Sequence, residues 1–225
     1  MYLSDRDLRW AIECGRLIVE PKPDKIDSTS IDLHLDSVDQ AKIWNIAAFR
    51  ESGEIEGHEP YELRIGKFDY RKFSGKYLRP PPDESKTDAD DLVFQRGKQV
   101  VVKPGGFLLW QTKEVVGTPE DGANLICFID GKSTRARTGL LVHLTAPTIH
   151  ATWSGQVTLE ISNLGPFHFV LQEDDVIAQI VVAMVSSIPA QNMKRAGSVT
   201  YGQVNVGAGI ARTPKRQRSS NKSKR

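Results

Sequence analysis

Between Lys98 and Val185 the chain consists of short apolar runs that turn-forming residues interrupt at intervals of 8–15 residues. The runs are Val100–Val102, Phe107–Trp110, Leu125–Ile129, Leu140–Leu144, Val157–Ile161, Phe167–Leu171 and Val176–Val185, separated by Gly, Pro, Asp or Asn. They are rich in β-branched and aromatic residues, which suit a pleated, half-buried surface. Parallel βαβ units would need a crossover of about a dozen residues between strands, and no helical stretch of that kind separates these runs. The pattern therefore predicts a mainly β fold, an antiparallel sandwich or barrel.

The first 35 residues add smaller elements. Ser4-Asp-Arg-Asp7 has the form of a capping box, and Leu8, Ala11 and Ile12 give one apolar helical face that Gly15 can end. Arg16–Glu20 reads as a strand stopped by Pro21 and Pro23, and Ile31-Asp-Leu-His-Leu35 alternates with the period of a half-buried strand. Residues 37–95, rich in charge and aromatics, predict a peripheral insertion with some strand that ends in a flexible loop around Pro80–Pro82. The expected organisation is one domain over 1–210, carrying that insertion, and a disordered basic tail over 211–225.

Charge sharpens this division. The tail holds seven of the 30 Lys/Arg residues and no acid, which leaves residues 1–210 mildly acidic although the whole chain is formally +2. No aromatic residue is interleaved with the tail's cations for base stacking, so a solubilising terminus is preferred to a nucleic-acid arm. No apolar run reaches the roughly 20 residues of a membrane span, and the N-terminal residues lack the apolar core of a signal peptide. With only Cys14 and Cys127, a reducing, cytoplasmic setting without disulfides is expected.

Chemistry concentrates between Gly131 and Gly165. Gly131-Lys-Ser-Thr-Arg-Ala-Arg-Thr-Gly139 brings two hydroxyls (Ser133, Thr134) and three cations (Lys132, Arg135, Arg137) into one turn. Phosphate oxygens favour that combination, although a basic surface turn has the same composition. The turn is not a Walker A loop, whose spacing it lacks and which a helix would follow. Glu160 lies in Val157-Thr-Leu-Glu-Ile161, where period-2 alternation puts it with Thr158 on one face and Val157, Leu159 and Ile161 on the other. A carboxylate so flanked either faces water or sits in a pocket, where desolvation would suit it to general-base work. The histidines show no metal-ligand spacing.

Together Gly131–His143, Thr145-Ala146, Trp153-Ser-Gly155 and Thr158-Leu-Glu160 closely resemble the signature of dCTP deaminases, in the trimeric dUTPase-like superfamily. Gln179, Gly197-Ser198, Gly202-Gln203, Leu3–Asp7 and Ser30-x-Asp32-Leu33 extend the likeness, which covers residues 1–35 and about 98–205. The resemblance implies a distorted β-barrel or jelly-roll (β-clip) homotrimer with interfacial active sites that converts dCTP to dUTP and ammonia, without zinc and with Mg²⁺ accompanying the triphosphate. It makes Glu160 the general acid–base, places Ser133 and Arg137 in the triphosphate and catalytic pocket, and has the Ala146 carbonyl orient water. Lys132, Thr134, Thr158, Leu159, Gln179 and Gln203 fall at nucleotide-binding positions. Zinc deaminases instead carry H-x-E with P-C-x-x-C, which Cys14 and Cys127, 113 positions apart, cannot supply.

Two departures matter. His150 stands where the family usually has an Asp that contacts the deoxyribose 3′-hydroxyl, and Val199 where many members have Lys. An imidazole can bond a hydroxyl but supplies no fixed negative charge, which weakens dUTP hydrolysis more than deamination. A dUTP diphosphatase and a non-catalytic nucleotide sensor are the competing readings.

Overall fold

The computed structural model describes residues 1–52, 63 and 69–190. The tail, Gln203 and Val199 lie outside those residues. Helix α1 spans Asp5–Glu13, and Asp7 accepts both the Ser4 N–H (3.3 Å) and the Ser4 hydroxyl (2.9 Å). Gly15, at φ +71°, turns the chain away after the helix.

Thirteen strands follow among the described residues: β1 (Ile18–Glu20), β2 (Ile31–His34), β3 (Ile43–Trp44), β4 (Leu78–Arg79), β5 (Val93–Arg96), β6 (Gln99–Val102), β7 (Phe107–Gly117), β8 (Leu125–Gly131), β9 (Leu140–Leu141), β10 (Thr148–Ile149), β11 (Ser154–Asn163), β12 (Phe169–Gln172) and β13 (Val176–Met184). They form sheets of order β1-β7-β11-β9, β10-β8-β13-β2, β12-β6-β5 and β3-β4, and every ladder is antiparallel. The mainly β expectation holds, but the sheets stay open and do not close into a barrel. Strands β9 and β10 are two residues long, too short to carry a ladder around the circumference, and β2 passes to β7 through one bridge, Leu35–Thr112.

One apolar cluster joins three sheets. Leu108, Trp110, Leu159 and Ile161 come from the first sheet, Ile31, Leu33, Ile177 and Ile180 from the second, and Val100, Val102 and Leu171 from the third. Trp110 is fully buried, and its indole N–H donates to the carbonyls of Asp36 and Ser37, both at 3.1 Å, so no polar atom of that ring is stranded.

The 37–95 segment differs from expectation. It holds two short helices, α2 (Ile46–Glu51) and α3 (Tyr70–Tyr77), besides the β3–β4 ribbon. Asn45 accepts from the Ala48 N–H, and Asp69 accepts from Arg71 and Lys72, so both helices carry ordinary N-caps. Trp44, Phe49, Phe73 and Tyr77 stack at centroid distances of 5.0–5.3 Å. This aromatic packing has no sequence period, so the sequence pattern did not reveal it. The stretch after Pro82 is not an open loop either, because a 3-10 turn at Glu84–Lys86 leads into β5, which pairs with β6.

The two thiols make a simple test of this packing. Cys14 is exposed, whereas Cys127 in β8 is buried and burial pushes its thiol up to about 12. A folded thiol that stays protonated favours the fold below the ordinary thiol range near about pH 8.5, and that contribution fades as pH rises further. Native protein should release one equivalent from Ellman's reagent promptly and a second only on denaturation. Prompt reaction of both thiols would contradict the burial of β8.

Candidate active site

Glu160 owes its position to the pairing of β11 with β7. The register shifts between Gln156 and Thr158, where the Val157 N–H donates to the Thr112 hydroxyl at 2.9 Å in place of a ladder bond. Beyond that bulge Leu159 and Ile161 are 0% exposed, and Val157 is only partly buried. Glu160 is half-buried and stands opposite Leu109, on the face away from the Leu108–Trp110 core. Leu109 in turn exchanges two 2.8 Å hydrogen bonds with Lys42, so Glu160, Leu109 and Lys42 form one row across the sheet. Burial pulls the Lys42 ammonium below its ordinary value, against the attraction of Asp39.

Trp44, two residues beyond Lys42, shares that face by alternation. Its ring meets Tyr70, the first residue of α3, edge-on at 6.2 Å, and meets Phe73 at 5.3 Å. The Tyr70 phenol is raised, first by burial and then by the negative charge of Glu160. The 37–95 segment therefore lies on the sheet face that carries Glu160. Sequence reasoning missed Lys42, Trp44 and Tyr70; the aromatic density of the segment was visible, but its docking partner was not.

A second cluster forms on the other large sheet. The Lys132 ammonium donates to Asp32 at 2.5 Å and to the Gln179 side-chain oxygen at 3.2 Å, and the Ser30 hydroxyl donates to the same oxygen at 3.2 Å. Gln179 is opposite Asp32 on one side and Asp130 on the other, so strand register alone aligns the group. Lys132 is thus already engaged by a carboxylate. Ser133, Thr134 and Arg137 are exposed, and Ser133–Ala136 forms one helical turn, α4, between β8 and β9. The Arg135 and Ala136 N–H groups both donate to the Lys132 carbonyl at 2.9 Å, closing the turn.

Ala146 and His150 are exposed around β10. The turn that follows is held by Thr118: its hydroxyl accepts the buried Thr152 N–H at 2.7 Å, and its N–H donates to the Trp153 carbonyl at 2.8 Å. Thr152 itself sits at φ +71°, a conformation that costs a β-branched residue of order 1–3 kcal/mol. Thr158 and Leu159 precede Glu160 on β11. The Ser133–Arg137 turn leads from one large sheet to the other, and among the described residues no hydrogen bond or ion pair joins it to Glu160. A cleft of about 420 Å³ borders Asp32, lined by Lys22, Asp24, Lys25, His34 and Glu114, but it touches neither Ser133, Arg137 nor Glu160.

The architecture is a mainly antiparallel β fold with few helices. The solved 2′-deoxycytidine 5′-triphosphate deaminase from Agrobacterium tumefaciens superposes with a TM-score of 0.51 at 18% identity, over 81% of this chain and 47% of that one. This chain therefore spans about half of that solved chain. A family described as dCTP deaminase-like matches residues 2–185, running through the 37–95 segment that the motif resemblance had left out. A dCTP deaminase from Marinomonas sp. is 33% identical over 184 residues, which is 80% of this chain and 81% of the relative. A "dCTP deaminase, dUMP-forming" from Dictyoglomus thermophilum is 31% identical over 207 residues, 90% of this chain and 91% of its own. A second dUMP-forming relative, from Thermobifida fusca, is 34% identical over 194 residues, 85% of this chain and 82% of its own. The chain belongs to the dCTP deaminase-like family.

The backbone crossing beside the cationic turn yields a prediction. The Leu164 N–H donates to the Gly139 carbonyl at 2.8 Å, and a Cβ on Gly165 would lie 1.9 Å from the Thr138 carbonyl oxygen. Gly165→Ala should destabilise the protein by about 3 kcal/mol or more in denaturant titration. Gly131→Ala, whose Cβ would meet only a Val142 methyl at 3.4 Å, should cost less than about 1 kcal/mol.

Proposed function

We propose that this protein hydrolyses the C4 amino group of dCTP, taking water and releasing dUTP and ammonia, with Glu160 as general acid–base. The observation that carries the reading is the placement of Glu160 within the family's Thr158-Leu-Glu motif: half-buried and off the core face. A carboxylate there can take a proton from water as the oxygen bonds to C4 and pass it to N3; it then takes the remaining proton of the new C4 hydroxyl and hands it to the amine as the C4–N bond breaks, leaving the C4 carbonyl and ammonia. Ser133 would stabilise the tetrahedral intermediate and Arg137 the triphosphate, since a guanidinium fork matches phosphate oxygens. The Ala146 carbonyl would orient the attacking water. Lys132, Thr134, Thr158, Leu159, Gln179 and Gln203 would contact nucleotide, and His150 the sugar.

Mg²⁺ enters this reading as part of the nucleotide substrate. The cations and hydroxyls of the 132–137 turn suit phosphate oxygens and offer no carboxylate to a metal, and no group of three His, Cys, Asp or Glu gathers among the described residues. Zinc independence is proposed because two distant cysteines, one exposed on α1's end and one inside β8, do not form a P-C-x-x-C pair. A homotrimer is proposed because the motif resemblance implies one, with the active sites at subunit interfaces. A cytoplasmic setting is proposed on the same cysteine usage; no helix among the described residues is long and apolar enough to cross a membrane.

A second reading has its own support. Relatives named as dUMP-forming suggest that the product loses pyrophosphate as well, whereas His150 in place of Asp argues that it remains dUTP.

Incubation with dCTP, CTP and dUTP plus Mg²⁺ separates the outcomes. Ammonia and dUTP from dCTP are expected; dUMP with pyrophosphate would establish the second reading, and binding without turnover would refute both. Glu160→Gln should lower ammonia release by at least about 10²–10⁴-fold while changing nucleotide affinity little. Retained activity in that variant would remove Glu160 from the mechanism. Turnover should survive stripping of zinc by a chelator once Mg²⁺ is restored.

A further inference from the structure

The 37–95 segment packs on the same sheet face as the carboxylate assigned above, and nothing in the family signature uses it. Its anchor is the Lys42–Leu109 pairing, which lays the segment beside β7 and brings Lys42 into the row that ends at Glu160. Two residues on, Trp44 points to that face, and α3 starts there: Asp69 caps the helix and Tyr70 lies edge-on to the indole at 6.2 Å. The rest of the helix is fixed by Phe73 and Tyr77 stacking among themselves and on Phe49, so Tyr70 projects from a packed base and not from a loose loop.

Tyr70 keeps 37% of its surface exposed, so it borders the site and is not part of the core. Glu160 on β11 is the charge that acts on its phenol, and Asp69 and Arg71 flank it in the chain.

We propose that Tyr70 is a positioning residue for Glu160, supplied by the 37–95 segment, and that Trp44 and Tyr70 together wall one side of the carboxylate. A planar wall limits the rotamers open to a glutamate and shields one flank from bulk water. The phenol gives the wall one polar group able to orient the carboxylate by a hydrogen bond, direct or through water. The inference rests on Glu160 being the acid–base residue, and it adds a determinant drawn from outside the shared motifs.

Two measurements test it on the full-length protein. Tyrosine titration by isotope-edited NMR, with the Tyr70 signal assigned by its loss in Tyr70→Phe, reads the pairing without turnover. Because the Glu160 charge opposes ionisation of the phenol, Glu160→Gln should lower the Tyr70 titration midpoint. An unchanged midpoint would overturn the pairing, even if no nucleotide were turned over. Steady-state kinetics reads the role: Tyr70→Phe keeps the ring against Trp44 and should lower kcat by about tenfold with KM changed less than about twofold. Equal kcat in parent and variant, or a loss confined to KM, would refute a positioning role. If the parent itself releases no ammonia, the deaminase reading fails and the titration alone decides whether Tyr70 and Glu160 form a pair.

Discussion

The antiparallel pairing of β7 with β11 is the constraint on which the site depends. Side chains alternate along a strand, so a single register fixes both what is buried and what faces outward. Here Leu108, Trp110, Leu159 and Ile161 point into the core, and Glu160 opposite Leu109 cannot. A slip of β11 by one residue would expose Leu159 and Ile161 at roughly 1.5–3 kcal/mol each and drive a carboxylate into an apolar interior. The Val157 bulge absorbs one extra residue without that slip. Burial energy in the hydrophobic residues therefore determines where the carboxylate stands, and chemistry need not compete with folding for the position.

The same logic extends to the second sheet. Gln179 lies between Asp130 and Asp32 because β13 runs between β8 and β2, and Lys132 closes the group from the end of β8. The Lys132 and Asp32 side chains keep 24% and 32% of their surfaces exposed, so the pair is partly screened and contributes little to stability. Its effect is geometric: it fixes the entrance of the Ser133–Arg137 turn, and the Gly139–Gly165 crossing fixes the exit.

Much of this was legible in the sequence. Alternation placed Leu159 and Ile161 opposite Glu160, turn formers marked most strands after Lys98, and Ser4 and Asp7 announced α1. Val157 was the exception on its strand, because a bulge depends on the partner strand's Thr112, which no local pattern records. The open sheets were illegible because closure depends on how many residues β9 and β10 pair with distant strands. The 37–95 segment was hardest. Its helices are short, their stability comes from aromatic contacts between Trp44, Phe49, Phe73 and Tyr77, and neither periodicity nor propensity encodes such contacts. For the same reason Lys42 and Tyr70, which meet the Glu160 row only through tertiary packing, were invisible beforehand.

The separation of Glu160 from the cationic turn has a physical advantage of its own. A guanidinium and a carboxylate about 4 Å apart near a protein surface attract by about 4 kcal/mol, enough to hold the carboxylate ionised and occupied. Lys132 shows what happens when such groups meet within the chain: it is taken up by Asp32. Arg137 and Glu160 form no such pair with each other among the described residues. In the proposed reading, a site assembled from two surfaces would keep the base and the triphosphate clamp in one protein without letting them neutralise each other. The Trp44–Tyr70 wall fits that arrangement, because it shelters the carboxylate from solvent on one flank without adding a cation that would pair with it.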